Sequence, residues 1–128
     1  MPWPPQEGEL LPRFDEPVGI EEKLRGYSVV VGHDKGGPKA KGFAVMLGIG
    51  LDSVDYLARQ IRAGIARTPI SLVRLHPSGA VACTVQFQIA GPGRYSHRTA
   101  SLRTAWVFHT PTARPQMTTA FLRGREHR

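Results

Sequence analysis

The sequence predicts an α+β domain in which two N-terminal helices pack on a four-stranded antiparallel meander. Three observations point to it. Apolar residues recur at helical spacing in the first half, through Val54, Leu57, Ala58, Ile61 and Ile65. In the second half they alternate with polar ones, as Val81, Cys83, Val85, Phe87 and Ile89 do. The helical pattern precedes every strand pattern, which suits helices gathered on one face of a meander. A chain of 128 residues makes one such domain, with one modest core.

Residues 1–22 are acidic, Pro-rich and aperiodic. They read as an extended arm ahead of a domain spanning residues 23–128, with Trp3, Leu10, Leu11 and Phe14 able to anchor it. Ile20 to Arg25 suits a single helical turn that Gly26 stops. Pro38 has its φ preset for a first helical turn, and Gly48 is placed to end that helix after Leu47. Asp52 is a natural N-cap for the next helix, Asp55 favours its first turn, and Pro69 stops it. Arg59, Arg62 and Arg67 fall on its exposed side.

The first strand is expected over Ile70 to Leu75, with a turn at Pro77-Ser78-Gly79. The second covers Val81 to Ile89 and is broken by Gly91-Pro92-Gly93. In the third, Leu102, Thr104, Trp106 and Phe108 alternate with Ser101, Arg103, Ala105 and Val107. Arg103 therefore points away from the core if Trp106 points into it. Pro111 ends this strand, Gln116 to Leu122 forms the last, and the basic tail Arg123 to Arg128 frays.

The charge is uneven. The chain carries +7 with a pI near 10.3. Residues 1–22 hold six acids against one base, which leaves +12 on the remainder. A body this basic favours polyanions such as RNA or DNA. Cys83 is the only cysteine, so no internal disulfide forms, and its place in an alternating strand makes it a small buried apolar group. No apolar run reaches the length of a membrane span, and the N-terminus lacks the pattern of a secretory signal. The expected location is cytoplasmic, or the cytoplasm of a target cell after delivery.

One basic turn stands out, Gly32-His33-Asp34-Lys35-Gly36-Gly37-Pro38-Lys39-Ala40-Lys41. A helix start gathers unpaired N–H groups and the positive end of the dipole, and cationic side chains add to its fit for an anion. His33, Lys39 and Arg103 around one phosphate suit metal-free RNA cleavage, with Thr119 adding a hydroxyl hydrogen bond. Lys35 and Lys41 would extend the contact to nucleic acid, as would Tyr95 and Arg98 in a substrate loop. Each residue also has a plainer reading. His33 suits a loop histidine bonded to backbone, Lys39 and Lys41 a solvated first turn, and Arg103 a cross-strand ion pair. Trp106 is core. His76, His97 and His109 have no spacing with carboxylates or Cys83 that suggests a metal. Gly37 is followed by Pro38, so the glycine-rich run is no phosphate-binding loop of the nucleoside-triphosphate type. No cofactor and no metal are expected.

From Leu10 to Leu122 the chain resembles an uncharacterised bacterial family of small domains that occur alone and at the C-termini of large polymorphic toxins. Four stretches carry the resemblance: Leu11-Pro12-Arg13 through Glu22-Lys23-Leu24-Arg25-Gly26-Tyr27-Ser28, His33 through Gly36-Gly37-Pro38-Lys39-Ala40, Arg103-Thr104-Ala105-Trp106, and Pro115 through Thr119-Ala120-Phe121. The element order is also similar to the barnase, EndoU, colicin and RelE group of ribonucleases, a likeness of fold alone. The family resemblance implies a toxin-like context and the fold likeness a metal-independent endoribonuclease, under which His33, Lys39, Arg103 and Thr119 match the family's recurring polar positions. Two departures stand out. Val30-Val31-Gly32 replaces an Asn-containing turn, and Phe121 stands where relatives tend to have tyrosine. Two further functions fit the charge: a non-enzymatic nucleic-acid-binding module, and an interaction domain for an acidic immunity or antitoxin protein.

Overall fold

The computed structural model describes residues 3–29 and 37–123, and within these the side chains of residues 27, 28 and 37–39 fall outside the description. The order is helical first and β second, as the periodicities predict. Helix α1 (Ile20–Lys23) runs directly into a π-helical turn over Leu24–Ser28. Helix α2 covers Gly37–Leu47 and helix α3 covers Val54–Arg67. Strands β1 (Leu72–Leu75), β2 (Val81–Ala90), β3 (Thr99–Phe108) and β4 (Gln116–Leu122) follow. They pair antiparallel in the order β1-β2-β3-β4, a meander without crossovers.

The core lies between the helices and one face of this sheet. Helix α3 buries Val54, Leu57, Ala58, Ile61 and Ile65 on a single side. Its Gly64 lies against the Phe87 ring of β2, which fills the space a Cβ would take. Helix and sheet approach closely there, and the loss of helix propensity at Gly64 is offset by packing. The β2 residues Val81, Cys83, Val85, Phe87 and Ile89 are buried, and Leu102, Thr104, Trp106 and Phe108 of β3 lie beside them. Burial of each large apolar side chain contributes about 1.5–3 kcal/mol.

Thr104 is the buried polar residue among the described side chains. Its hydroxyl donates to Val85 O at 2.8 Å and accepts from the Trp106 indole N–H at 2.9 Å. Both polar groups are thereby satisfied inside the core, which removes the cost of burying them unpaired.

Four local expectations change. Residues 3–22 do not stand apart from the domain, because Leu11 and Ile20 belong to the core at 1% and 0% exposure. Trp3 meets the Phe108 ring edge-on at 5.5 Å, while Leu10 is exposed. Backbone bonds tie the segment down at both sides of the sheet. Gly8 N–H donates to Ile70 O at 2.9 Å and Ile70 N–H to Glu9 O at 2.8 Å. Val18 N–H donates to Pro115 O at 2.9 Å and accepts at its own carbonyl from Met117 N–H at 3.0 Å. Gly26 does not stop the first turn, which continues in the wider π geometry. Asp52 is not the cap of α3: Leu51–Ser53 forms a 3₁₀ turn, and α3 begins at Val54 with no side-chain cap. The first strand starts at Leu72, because Ile70 turns its backbone to Glu9 instead of to β2. No described helix is long and apolar enough to cross a membrane.

Candidate functional site

Among the described residues the helices leave the second face of the sheet open. Alternation sends Gln86 and Gln88 of β2, and Ser101, Arg103, Ala105 and Val107 of β3, to that face. Arg103 sits in the middle strands, with Gln86 on one side and Phe121 of β4 on the other in the Cα register. It is half-buried. Its Nε is shielded from solvent and has no hydrogen-bond partner among the described residues. Leaving such a donor unpaired costs about 1–3 kcal/mol, so the position is not one that stability alone favours.

Around Arg103 an open groove of about 570 Å³ is lined by Ser71, Leu72, Gln86, Gln88 and Ser101. Gln86 Nε2 donates to Ser101 Oγ at 2.9 Å and so holds both polar groups in place. The groove offers a guanidinium, amides and hydroxyls. These suit phosphate and sugar oxygens, and arginine can bind phosphate bidentately.

Thr119 shares this face. It stands opposite Ala105 on β4, diagonal to Arg103. A bulge at this point inserts Thr118, whose hydroxyl donates to Ala105 O at 3.2 Å. The structure thus brings Arg103 and Thr119 together. His33 and Lys35 lie outside the described residues, as does the Lys39 side chain in the first turn of α2. Lys41 is exposed on α2.

Tyr95 and Arg98 occupy the β2–β3 loop, at one end of the sheet. The Tyr95 ring fits over Gly48, which ends α2 with a positive φ of 66° and has no Cβ to obstruct it. Arg94 and Arg98 place their guanidinium carbons 5.0 and 5.1 Å from the centre of that ring. Arg98 also donates to Val45 O at 3.3 Å near the C-terminus of α2. These contacts dock the loop on the helix end.

The opposite end of the sheet holds two residues whose proximity sequence spacing does not convey. His76 and His109 line one pocket of about 270 Å³, together with Ser78, Ala80, Ala82 and Val107. The signal in the sequence is parity: His76 continues the Leu72, Arg74 side of β1, and His109 continues the Arg103, Ala105, Val107 side of β3. Register then places them on either side of Ala80.

Five titratable groups elsewhere act structurally. Arg62 forms a bidentate bond to Glu21 at 2.7 and 3.0 Å, and that bond holds the Glu21 carboxyl below its ordinary value. Arg25 pairs with Asp55 at 3.1 Å. Burial pushes the Cys83 thiol up to about 11, so it stays protonated and unreactive near neutral pH. Among the described residues, no three or more His, Cys, Asp or Glu side chains are grouped so as to hold a metal ion.

Residues 10–124 match the family described as Domain of unknown function (DUF6883), and the chain belongs to that family. No curated protein and no solved structure matches the chain.

Proposed function

We propose that this domain engages RNA on the open face of its sheet and cleaves it without a metal. The observation that carries the reading is the Arg103 Nε, shielded, unpaired and set in a groove of amides and hydroxyls. A phosphate oxygen in that groove meets the guanidinium and gains a charge-assisted bond. The +12 carried by residues 23–128 supports a polyanionic ligand.

In this reaction the 2′-oxygen attacks phosphorus and the bond to the 5′-oxygen breaks. A base removes the 2′-hydroxyl proton, and an acid protonates the leaving oxygen. The products are a 2′,3′-cyclic phosphate and a 5′-hydroxyl. Arg103 holds the phosphate and offsets the charge that develops on it. Thr119, on the same face, contributes a hydroxyl. His33 supplies proton transfer and Lys39 positive charge.

A second reading is a binding module without turnover. The described lining of the Arg103 groove favours it, because Gln86, Gln88, Ser71 and Ser101 do not titrate near neutral pH. One experiment separates the two. Total RNA is incubated in EDTA with the wild type, His33→Ala and Arg103→Ala. Discrete cleavage with cyclic phosphate ends, lost in both variants, supports the nuclease. RNA retained by the wild type but left intact supports the binding module and overturns the chemistry.

A further inference from the structure

We infer that the His76/His109 pocket is a base-binding subsite, which receives one unpaired base of an RNA strand whose phosphate lies at Arg103. The inference rests on the RNA reading above and adds where and how a base is held.

The pocket belongs to the same open face as Arg103. His76 N–H donates to Ala80 O at 2.9 Å, which seats the β1 end beside the start of β2. Val81 faces Phe108 in the Cα register, so Ala80 falls beside His109. Ala80, Ala82 and Val107 form a floor of small apolar groups, with one imidazole at each side. Such a floor accepts a flat ring, and imidazoles stack on bases. Among the described residues no carboxylate lines the pocket to repel a polyanion, and Arg74 stands opposite Ala82 in the register.

A short hydrogen-bond chain fixes what His76 offers. Ser78 N–H donates to His76 Nδ1 at 3.1 Å. Ala80 N–H donates to Ser78 Oγ at 3.3 Å, and that hydroxyl lies 2.9 Å from the same Nδ1. A backbone N–H can only donate, so Nδ1 accepts and the proton of the neutral ring sits on Nε2. His76 thus presents a donor and no free lone pair. It is built to hold an acceptor such as a base carbonyl, and not to take a proton from a hydroxyl.

Distance links the two positions. Val107 follows Arg103 by four residues along β3. At about 3.4 Å per residue they stand roughly 14 Å apart. A few nucleotides of an unpaired strand cover that span, so phosphate and base contacts can belong to one ligand.

The test uses fluorescence anisotropy with a short labelled single-stranded RNA, the same strand made abasic, and inorganic polyphosphate. His76→Ala and His109→Ala should each weaken binding of the RNA by about tenfold, the size of one lost base contact. Both should bind the abasic strand and polyphosphate as the wild type does. His76→Phe should keep most of the affinity and lose preference among bases. Arg103→Ala should weaken all three ligands. RNA binding that depends on Arg103 but not on His76 or His109 overturns the subsite alone. Equal losses on the RNA and the abasic strand also overturn it, because the contact is then with the backbone. No RNA binding by the wild type overturns the RNA reading together with the subsite.

Discussion

Strand β3 carries polar side chains on both faces, and the two faces treat them in opposite ways. Inside, the Thr104 hydroxyl and Trp106 indole satisfy each other and Val85 O. Outside, the Arg103 Nε is shielded yet unpaired among the described residues. These residues lie within four positions of one strand and differ in which side of the sheet they face. The contrast separates two uses of a polar group. A satisfied one fixes the core, whereas an unsatisfied one lowers stability and, in the proposed reading, is tolerated for the guanidinium's hold on phosphate.

Substitutions along the strand put this contrast to the test. Trp106→Ala removes the largest buried side chain of β3 and should cost about 3–5 kcal/mol in chemical denaturation. Thr104→Val keeps the shape but strands the indole N–H, and should cost about 1–3 kcal/mol while leaving RNA affinity unchanged. Arg103→Leu should do the reverse. Denaturation should show stability unchanged or slightly higher, and RNA affinity should fall by at least about tenfold, roughly 1.4 kcal/mol, with a shallower dependence on salt. If Arg103→Leu unfolds the protein instead, the outer face is structural and the contrast fails.

Two smaller effects test charges away from the open face. Glu21→Gln should cost about 0.2–1 kcal/mol at neutral pH, since the Arg62 pair is partly solvated. Its partner holds the Glu21 carboxyl below the ordinary 4.5, so the pair contributes fully above that value. The stability difference between wild type and variant should vanish as pH falls through the lowered value. The Cys83 thiol should resist alkylation in the native protein at pH 8 and react once the chain is unfolded, which mass spectrometry would read directly.

The elements that bury one regular face were legible in the sequence. Helix α3 and strands β2 and β3 show it, because their periodicity is the pattern of contact with the core. Arg103 was legible for the same reason, since parity with Trp106 sends it outward. Other features depend on partners distant in the chain. His76 and His109 come to one pocket through the pairing of three strands. The docking of Tyr95 depends on Gly48 turning back beneath its ring. Asp52 has the right chemistry for a cap, but Gly50 leads into a 3₁₀ turn and α3 starts two residues later. Residues 3–22 show no period because backbone pairing and isolated anchors, Leu11 and Ile20 among them, hold them in place.

That N-terminal stretch has a consequence for handling the protein. Its Gly8–Glu9 portion bonds to Ile70 just ahead of β1, and its Val18 bridges to Gln116 on the free side of β4. One run of chain therefore closes a short stretch at each margin of the sheet, just ahead of β1 and at the start of β4, where unpaired backbone would otherwise recruit neighbours. A version trimmed to begin at residue 23 loses both closures and two core anchors at once. Such a fragment should self-associate on expression, so a workable N-terminal boundary lies ahead of Gly8.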